Sequence, residues 1–158
     1  MIVPYAGKPG QLRDLVRLYR KVWADSGHKP GAEQVQVAQF CYVAENGDEA
    51  RAGFTRICKR YLETFADAVV SWQGKSSDQY PGYDKMVASI LATTPEKIVE
   101  NGGAFVGTPG EAIAQVQGCV DAFGPIEPSM QINFGGSTDE EALSTLELVA
   151  SKVMPKFK

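Results

Sequence analysis

The sequence predicts an α/β fold in which parallel strands alternate with helices that cover them. Two apolar segments, residues 34–44 and 129–134, have the β-branched and aromatic character of strands in a sheet. The surrounding segments repeat apolar residues every three or four positions, the spacing of a helix with one buried face. Because 158 residues can bury a sizeable core, we expect a single domain over residues 1–158.

The overall composition is that of an ordinary globular protein. Apolar residues make up 44% of the chain and charged residues 22%. The 16 basic and 19 acidic side chains are interspersed, and no basic stripe is present to follow a phosphate backbone, so we expect no nucleic-acid partner. No apolar run approaches the roughly 18 residues of a membrane span, and the first residues lack the pattern of a signal peptide. We therefore expect a cytoplasmic protein with no membrane association.

The reactive residue types form no recognisable catalytic or metal-binding motif. Cys41, Cys58 and Cys119 are odd in number, far apart and surrounded by apolar residues, which indicates buried, reduced thiols. His28 is the single histidine, so a His-rich metal cluster is excluded, and it lies in a predicted solvent-exposed turn. The chain also lacks paired cysteines and the glycine-rich motifs that bind nucleotide phosphates. Catalytic residues therefore stay unknown, and no metal site is predicted.

The first half of the chain is predicted to place one strand between two helices. The apolar residues from Leu12 to Trp23 share one face of the first helix, which Gly27 and Pro30 end. The strand over residues 34–44 comes next, and its later part is almost entirely apolar. This pattern indicates a strand that is buried on both faces.

The longest predicted helix follows that strand, with Asn46 or Asp48 as its N-cap. A loop over residues 73–82, rich in Gly, Ser and Pro, comes after the helix. The loop is flanked by three aromatic residues, Trp72, Tyr80 and Tyr83. These rings either close over a substrate or pack at the base of the loop.

The second half begins with two short predicted helices, over residues 83–92 and 95–102. A weak strand over residues 104–106 leads into a helix that Thr108 and Glu111 open as a capping box. The capping box therefore predicts where this helix starts.

The chain then ends in a strand, a Gly–Gly turn and a final helix that Pro155 stops. Two capping boxes compete at the start of this helix: Ser137 with Glu140, or Thr138 with Glu141.

Four sequence motifs, taken in order, point to a known family. They are "YVAENGDEA" at residues 42–50, "VGTPGEAIAQV" at 106–116, "SMQINFGG" at 129–136 and "LELVASKVMPKF" at 146–157. Together they resemble the C-terminal part of the luciferase-like monooxygenase family. Two positions depart from the family pattern, because Lys152 stands where an acid is common and Val149 where an aromatic residue is common.

The resemblance implies the C-terminal portion of a (β/α)8 barrel, rich in helix, with two to three strands and incomplete as a single chain. A whole barrel takes about 250 residues and eight strands. The resemblance also implies an oxidoreductase that uses reduced flavin, either FMN or the deazaflavin coenzyme F420, with oxygen and a small-molecule substrate. In the family, most contacts to the flavin come from the half that this chain lacks. The alternative is a non-catalytic structural or assembly subunit.

The last predicted strand and its turn supply the candidate cofactor-binding residues, Asn133, Gly135 and Gly136. The carboxyl end of a barrel strand is where this fold places its active-site loops. The glycines either let the backbone approach a flavin or form a tight turn that needs positive φ, and the turn is the simpler explanation. Asn133 either bonds a flavin ring edge inside a complete barrel or, in an incomplete one, faces solvent or a neighbouring strand.

A sheet cut from a barrel would leave apolar faces and unpaired backbone groups exposed. A second copy of the chain, a partner chain that supplies the missing strands, or a rearranged helical packing would each cover them. We expect a homo-oligomer.

Overall fold

The computed structural model describes residues 1–4, 8–75, 78–79 and 81–157, without the side chains of residues 83, 84 and 86. It confirms the α/β class. The strands are β1 (Ile2–Val3), β2 (Gln36–Val43), β3 (Ala104–Gly107) and β4 (Glu127–Gln131). The α-helices are α1 (Pro9–Asp25), α2 (Gly47–Val69), α3 (Tyr83–Leu91), α4 (Pro95–Glu100), α5 (Pro109–Phe123) and α6 (Asp139–Leu148). A π-helical turn (Val149–Val153) and a 3₁₀ turn (Met154–Phe157) follow α6.

The four strands form one parallel, open sheet with β2 at its centre. The Gln36 N–H donates to the Met1 carbonyl at 2.8 Å, and the Phe40 N–H to the Gly103 carbonyl at 3.2 Å. Because alternate residues of a strand point to the same edge, β1 and β3 share one edge of β2, and β4 lies along the other. Across the sheet, β1 and β3 therefore lie on one side of β2 and β4 lies on the other.

Two strands differ from the prediction. The structure adds β1, which has two residues and so is too short to show any periodicity in the sequence. The last strand was expected at residues 129–134, but its pairing with β2 runs from Glu127 to Gln131. The apolar alternation on which the prediction rested continues past the paired region, because Phe134 turns into the core instead of extending the strand.

Both faces of β2 are covered by helices of the same chain. On one face, Phe40 packs against Phe134, with ring centroids 4.5 Å apart, and against Phe54 of α2. On the other face, Cys41 and Val43 pack against α5 and the π-helical turn, and a further cluster joins the start of β2 to α1. Helical packing within the chain thus covers the sheet faces, whereas the expected homo-oligomer stays a prediction.

Two side chains complete the strand edges in place of a neighbouring strand. The Val106 N–H of β3 donates to Gln115 Oε1 at 2.8 Å, and Gln115 Nε2 donates to the Val106 carbonyl at 2.9 Å. Thr145 of α6 acts in the same way on Val43, past the end of β4: its hydroxyl accepts from the Val43 N–H at 3.4 Å and donates to the Val43 carbonyl at 3.2 Å. These bonds satisfy backbone groups that would otherwise be buried without a partner.

The helix starts follow the predicted caps. Asn46 Oδ1 accepts from two backbone N–H groups at the start of α2. Thr108 with Glu111, and Thr138 with Glu141, form complete capping boxes. The structure therefore selects the second of the two boxes proposed for α6. No helix in the described part of the chain combines the length and apolar character that crossing a membrane requires.

Candidate functional site

The candidate site lies where β2 and β4 end, between the start of α6 and the middle of α2. The predicted residue Asn133 is exposed here and accepts a hydrogen bond from the Ser137 hydroxyl at 3.0 Å. Gly135 and Gly136 follow it with φ values of 58° and 75°. The expected positive-φ turn is confirmed, and contact of these three residues with a flavin stays a prediction.

The two glycines also bring the turn against α2. A Cβ atom on Gly135 would lie 2.0 Å from the Ile57 carbonyl oxygen, which belongs to the helix backbone. A Cβ atom on Gly136 would lie 3.0 Å from the guanidinium of Arg60, which is a flexible side chain. Gly135 is therefore required by packing as well as by its backbone conformation.

Beside the turn, three side chains from three elements converge. The Tyr42 hydroxyl of β2 donates to Glu141 Oε1 of α6 at 3.0 Å, and Arg56 of α2 pairs with the same oxygen. Glu141 Oε2 accepts from the Thr138 N–H at 2.8 Å. The Tyr42 ring lies against Gly53, where a Cβ atom would be 2.5 Å from the ring. We call Tyr42, Arg56 and Glu141 the carboxylate cluster.

The protonation states of the carboxylate cluster follow from its contacts. The Thr138 N–H, then Arg56 and Tyr42, lower the pKa of Glu141 to about 2, against the opposing effect of burial. Burial, then the bond to Glu141, raises the pKa of Tyr42. Near neutral pH the carboxylate is therefore ionised and the phenol protonated. The cluster joins β2, α2 and α6 through one hydrogen bond and one ion pair.

The site does not fit the phosphate of a flavin. The first turn of α6 carries Asp139, Glu140 and Glu141, which repel an anion at that helix end. The capping box also occupies the backbone N–H groups of Thr138 and Glu141. Asn133 and the Gly–Gly turn carry no positive charge that would offset this repulsion. No step of a reaction can therefore be assigned to a flavin bound by these residues alone.

The remaining candidate residues have structural surroundings. Burial raises the pKa of Cys41 to about 12; burial, then Glu96, raises that of Cys58 to about 12. Cys41 and Cys58 are buried, as predicted, whereas Cys119 is only half-buried. His28 is exposed and packs against Trp23, with ring centroids 4.5 Å apart and ring planes tilted by 36°. Among the described residues, no group of three or more His, Cys, Asp or Glu side chains is placed to hold a metal ion.

The predicted aromatic loop is only partly described. Trp72 is 41% exposed at the end of a 3₁₀ turn (Val70–Trp72) that follows α2, and the backbone of Tyr83 begins α3. Tyr80 lies outside the described residues. Closure of these rings over a substrate stays a prediction.

The carboxylate cluster could hardly be predicted from the sequence. Tyr42 and Glu141 are 99 positions apart, and Arg56 and Glu141 are 85 apart. Periodicity reports which residues share a face of one element, but it does not pair residues across elements. The one available signal was Glu141, as a member of a capping box.

Glu141→Gln tests the electrostatic role of this cluster. Because the folded pKa is depressed from 4.5, ionised Glu141 stabilises the fold above about pH 4.5, and this contribution is lost as the pH falls toward 2. We expect the variant to lose about 1–2 kcal/mol at pH 7, and the gap to the native chain to close near pH 2–3. Urea unfolding at several pH values measures this gap, with Glu140→Gln in the same helical turn as control. A gap that stays constant with pH would contradict the assignment.

Comparison with known proteins gives a consistent result. The model of the luciferase-like monooxygenase family matches residues 1–124. The whole chain superimposes on monooxygenase RslO1 from Streptomyces bottropensis with a TM-score of 0.71 and 25% identity, covering 41% of that protein. No curated protein sequence matches the chain.

Two further structures share the fold at lower identity. The first is the oxygenating constituent of 3,6-diketocamphane monooxygenase from Pseudomonas putida, in complex with FMN. It matches 98% of this chain and 41% of its own length, with 17% identity and a TM-score of 0.67. The second is coenzyme F420-dependent tetrahydromethanopterin reductase from Methanopyrus kandleri. It matches 99% of this chain and 45% of its own length, with 16% identity and a TM-score of 0.59. The chain thus spans less than half the length of these three proteins.

Proposed function

Because the chain belongs to the luciferase-like monooxygenase family, we propose that it forms part of a flavin-dependent oxidoreductase acting on a small organic substrate. The observation that carries this proposal is the family match over residues 1–124, joined to the superposition of the whole chain on a monooxygenase. The bound group is FMN or coenzyme F420, since related structures carry FMN or depend on F420. With FMN, the reduced flavin would supply the electrons for reaction with oxygen, whereas F420 would act as a hydride carrier.

In this proposal the chain provides one wall of the flavin site. Asn133 meets an edge of the ring, and the turn at Gly135 and Gly136 sets the approach of the backbone. The carboxylate cluster holds α6 and α2 on either side of this turn. The residues that bind the flavin phosphate lie outside this site, because the start of α6 repels an anion.

A structural or assembly subunit is the second candidate function. It is favoured by the covered faces of the sheet and by the Gln115 and Thr145 bonds, which let the chain fold without a complete barrel. The lack of fit to a flavin phosphate supports it as well.

In either role we propose that further strands join the outer edge of β4. Because the Glu127 N–H donates to the Val35 carbonyl, Glu127 and Ser129 face β2, while Pro128 and Met130 face outward. Pro128 has no N–H to donate, so an added strand would form fewer hydrogen bonds along this edge. Met130 has an outward-facing N–H that can pair with such a strand. A second copy of the chain or a partner chain supplies the added strand, and we favour a homo-oligomer.

Titration of the purified chain with FMN, followed by quenching of flavin fluorescence, separates the two functions. The oxidoreductase proposal predicts saturable binding that Asn133→Ala weakens and that Asp121→Ala, an exposed change on α5, leaves unchanged. Since the described site has no group placed to bind the flavin phosphate, we expect FMN to bind weakly. A folded chain that shows no saturable binding would favour the assembly role. A tight stoichiometric complex would contradict the claim that the described site does not bind the flavin phosphate.

A further inference from the structure

An uncovered apolar surface runs along α6 and the π-helical and 3₁₀ turns that follow it. Its four large side chains are each between 39% and 57% exposed, and one small residue lies exposed at its centre. We call these five residues the apolar stripe: Leu143, Leu146, Ala150, Met154 and Phe157. Thr145, Val149 and Val153 are buried and fix the same segment to the rest of the chain, so the apolar stripe is left on the solvent side. A continuous exposed apolar surface of this kind marks an interaction site.

The spacing keeps the apolar stripe in one line through three kinds of helical turn. Leu143 and Leu146 are three positions apart, which makes them neighbours on one face of α6. Ala150 and Met154 follow at steps of four, which suits the wider π-helical turn. Phe157 comes three positions later in the 3₁₀ turn, where side chains at this spacing eclipse. The steps are therefore three, four, four and three, the same when read from either end, with Ala150 at the centre.

This symmetry suits pairing of the apolar stripe with itself. In an antiparallel pair of identical helices related by a two-fold axis, each position before the axis lies opposite the position equally far after it. With the axis at Ala150, Leu143 lies opposite Phe157 of the second copy, and Leu146 lies opposite Met154 of the second copy. The small side chain of Ala150 lets the helix axes approach to about 8 Å where they cross.

The charges of this segment favour the antiparallel arrangement. The first turn of α6 carries the exposed acids Asp139 and Glu140, whereas Lys152 and Lys156 lie in the turns that end the segment. Antiparallel pairing brings the acidic end of one copy to the basic end of the other, and it also opposes the two helix dipoles. Since Lys152 pairs with Glu45 of its own chain, Lys156 supplies most of this attraction. Parallel pairing would instead bring like charges together.

We propose that two copies of the chain associate through the apolar stripe as an antiparallel, two-fold symmetric pair with Ala150 at the axis. Removal of the four large, exposed side chains from water supplies the stability. The apolar stripe spans about 21 Å at about 1.5 Å per residue, so the interface is small and the dimer forms reversibly. This contact uses a different surface from the outer edge of β4, and it requires neither flavin binding nor an added strand.

Cysteine cross-linking of the purified full chain tests this pairing. Because the two-fold axis places Ala150 beside its own copy, Ala150→Cys brings two Cα atoms within the about 4–7 Å that a disulfide requires. Ser144→Cys is the matched control, because Ser144 is exposed on the same helix but points about 100° away from Leu143. The native chain, with its own three cysteines, sets the background. Electrophoresis without reductant follows the oxidation of each variant.

A second pair of variants, Leu143→Cys and Phe157→Cys, reports the orientation. In the antiparallel pair these variants cross-link with each other when mixed. Neither cross-links with itself, because Leu143 lies about 20 Å from Leu143 of the second copy and Phe157 is similarly separated. In a parallel pair, each variant would cross-link with itself.

We expect Ala150→Cys to form a cross-linked dimer about tenfold faster than Ser144→Cys or the native chain, because pairing raises the local concentration of the thiols. Equal rates for Ala150→Cys and Ser144→Cys would overturn the proposal. Cross-linking of Leu143→Cys with itself would overturn the antiparallel arrangement. A chain that dimerises only through β4 would show the mass of a dimer with no fast Ala150→Cys cross-link, which overturns this proposal and leaves the proposed function intact.

Discussion

Replacing Gly135 by alanine is expected to destabilise the folded chain by about 3 kcal/mol. A non-glycine residue in the left-handed region costs about 1–2 kcal/mol, and overpacking adds about 1–3 kcal/mol. The Cβ atom would meet the Ile57 carbonyl oxygen at 2.0 Å, and this oxygen belongs to the backbone of α2. The turn or the helix must therefore move.

Gly136→Ala is the matched control, because it has a similar positive φ but meets only the flexible end of Arg60. We expect it to lose about 1 kcal/mol, the conformational part alone. Urea unfolding of the two variants measures the difference. Equal losses would show that the turn does not press against the backbone of α2 in solution.

Thr145→Val is expected to destabilise the chain by about 2 kcal/mol, although it keeps the shape of the side chain. The hydroxyl serves both the N–H and the carbonyl of Val43, and Thr145 is 1% exposed, so water cannot replace it. Valine would leave both backbone groups buried and unpaired.

Thr145→Ser separates the hydroxyl from the methyl group. It keeps the bonds to Val43 and removes one buried methyl group, which costs about 1 kcal/mol. The order of stability should be native, then serine, then valine, in urea or thermal unfolding. A valine variant as stable as the native chain would show that this edge of β2 is paired by other means.

The elements that could be predicted are those whose signals are local. The strand over residues 34–44 could be predicted because side chains on both of its faces are apolar. The start of the helix after Thr108 could be predicted because Thr108, Pro109 and Glu111 form a recognisable cap. The family could be predicted from the order of four motifs, which the match over residues 1–124 confirms.

What could not be predicted depends on contacts between distant parts of the chain. Tyr42 gives no sign in the sequence that it bonds Glu141, and Thr145 gives none that it completes β2. The strand β1 has only two residues and is too short to detect from the sequence. The sequence predicts that Gly135 lies in a turn. Its close approach to α2 is visible only when this turn is packed against the helix.

The central proposal is that a second copy of this chain adds a strand at the open edge of β4. Its most direct test combines the solution mass from light scattering with hydrogen exchange at two neighbouring amides. Ser129 faces β2, whereas Met130 faces the open edge. We predict a mass above that of one chain, 17.1 kDa, with both amides protected. A folded monomer in which Ser129 is protected and Met130 exchanges rapidly would contradict the claim.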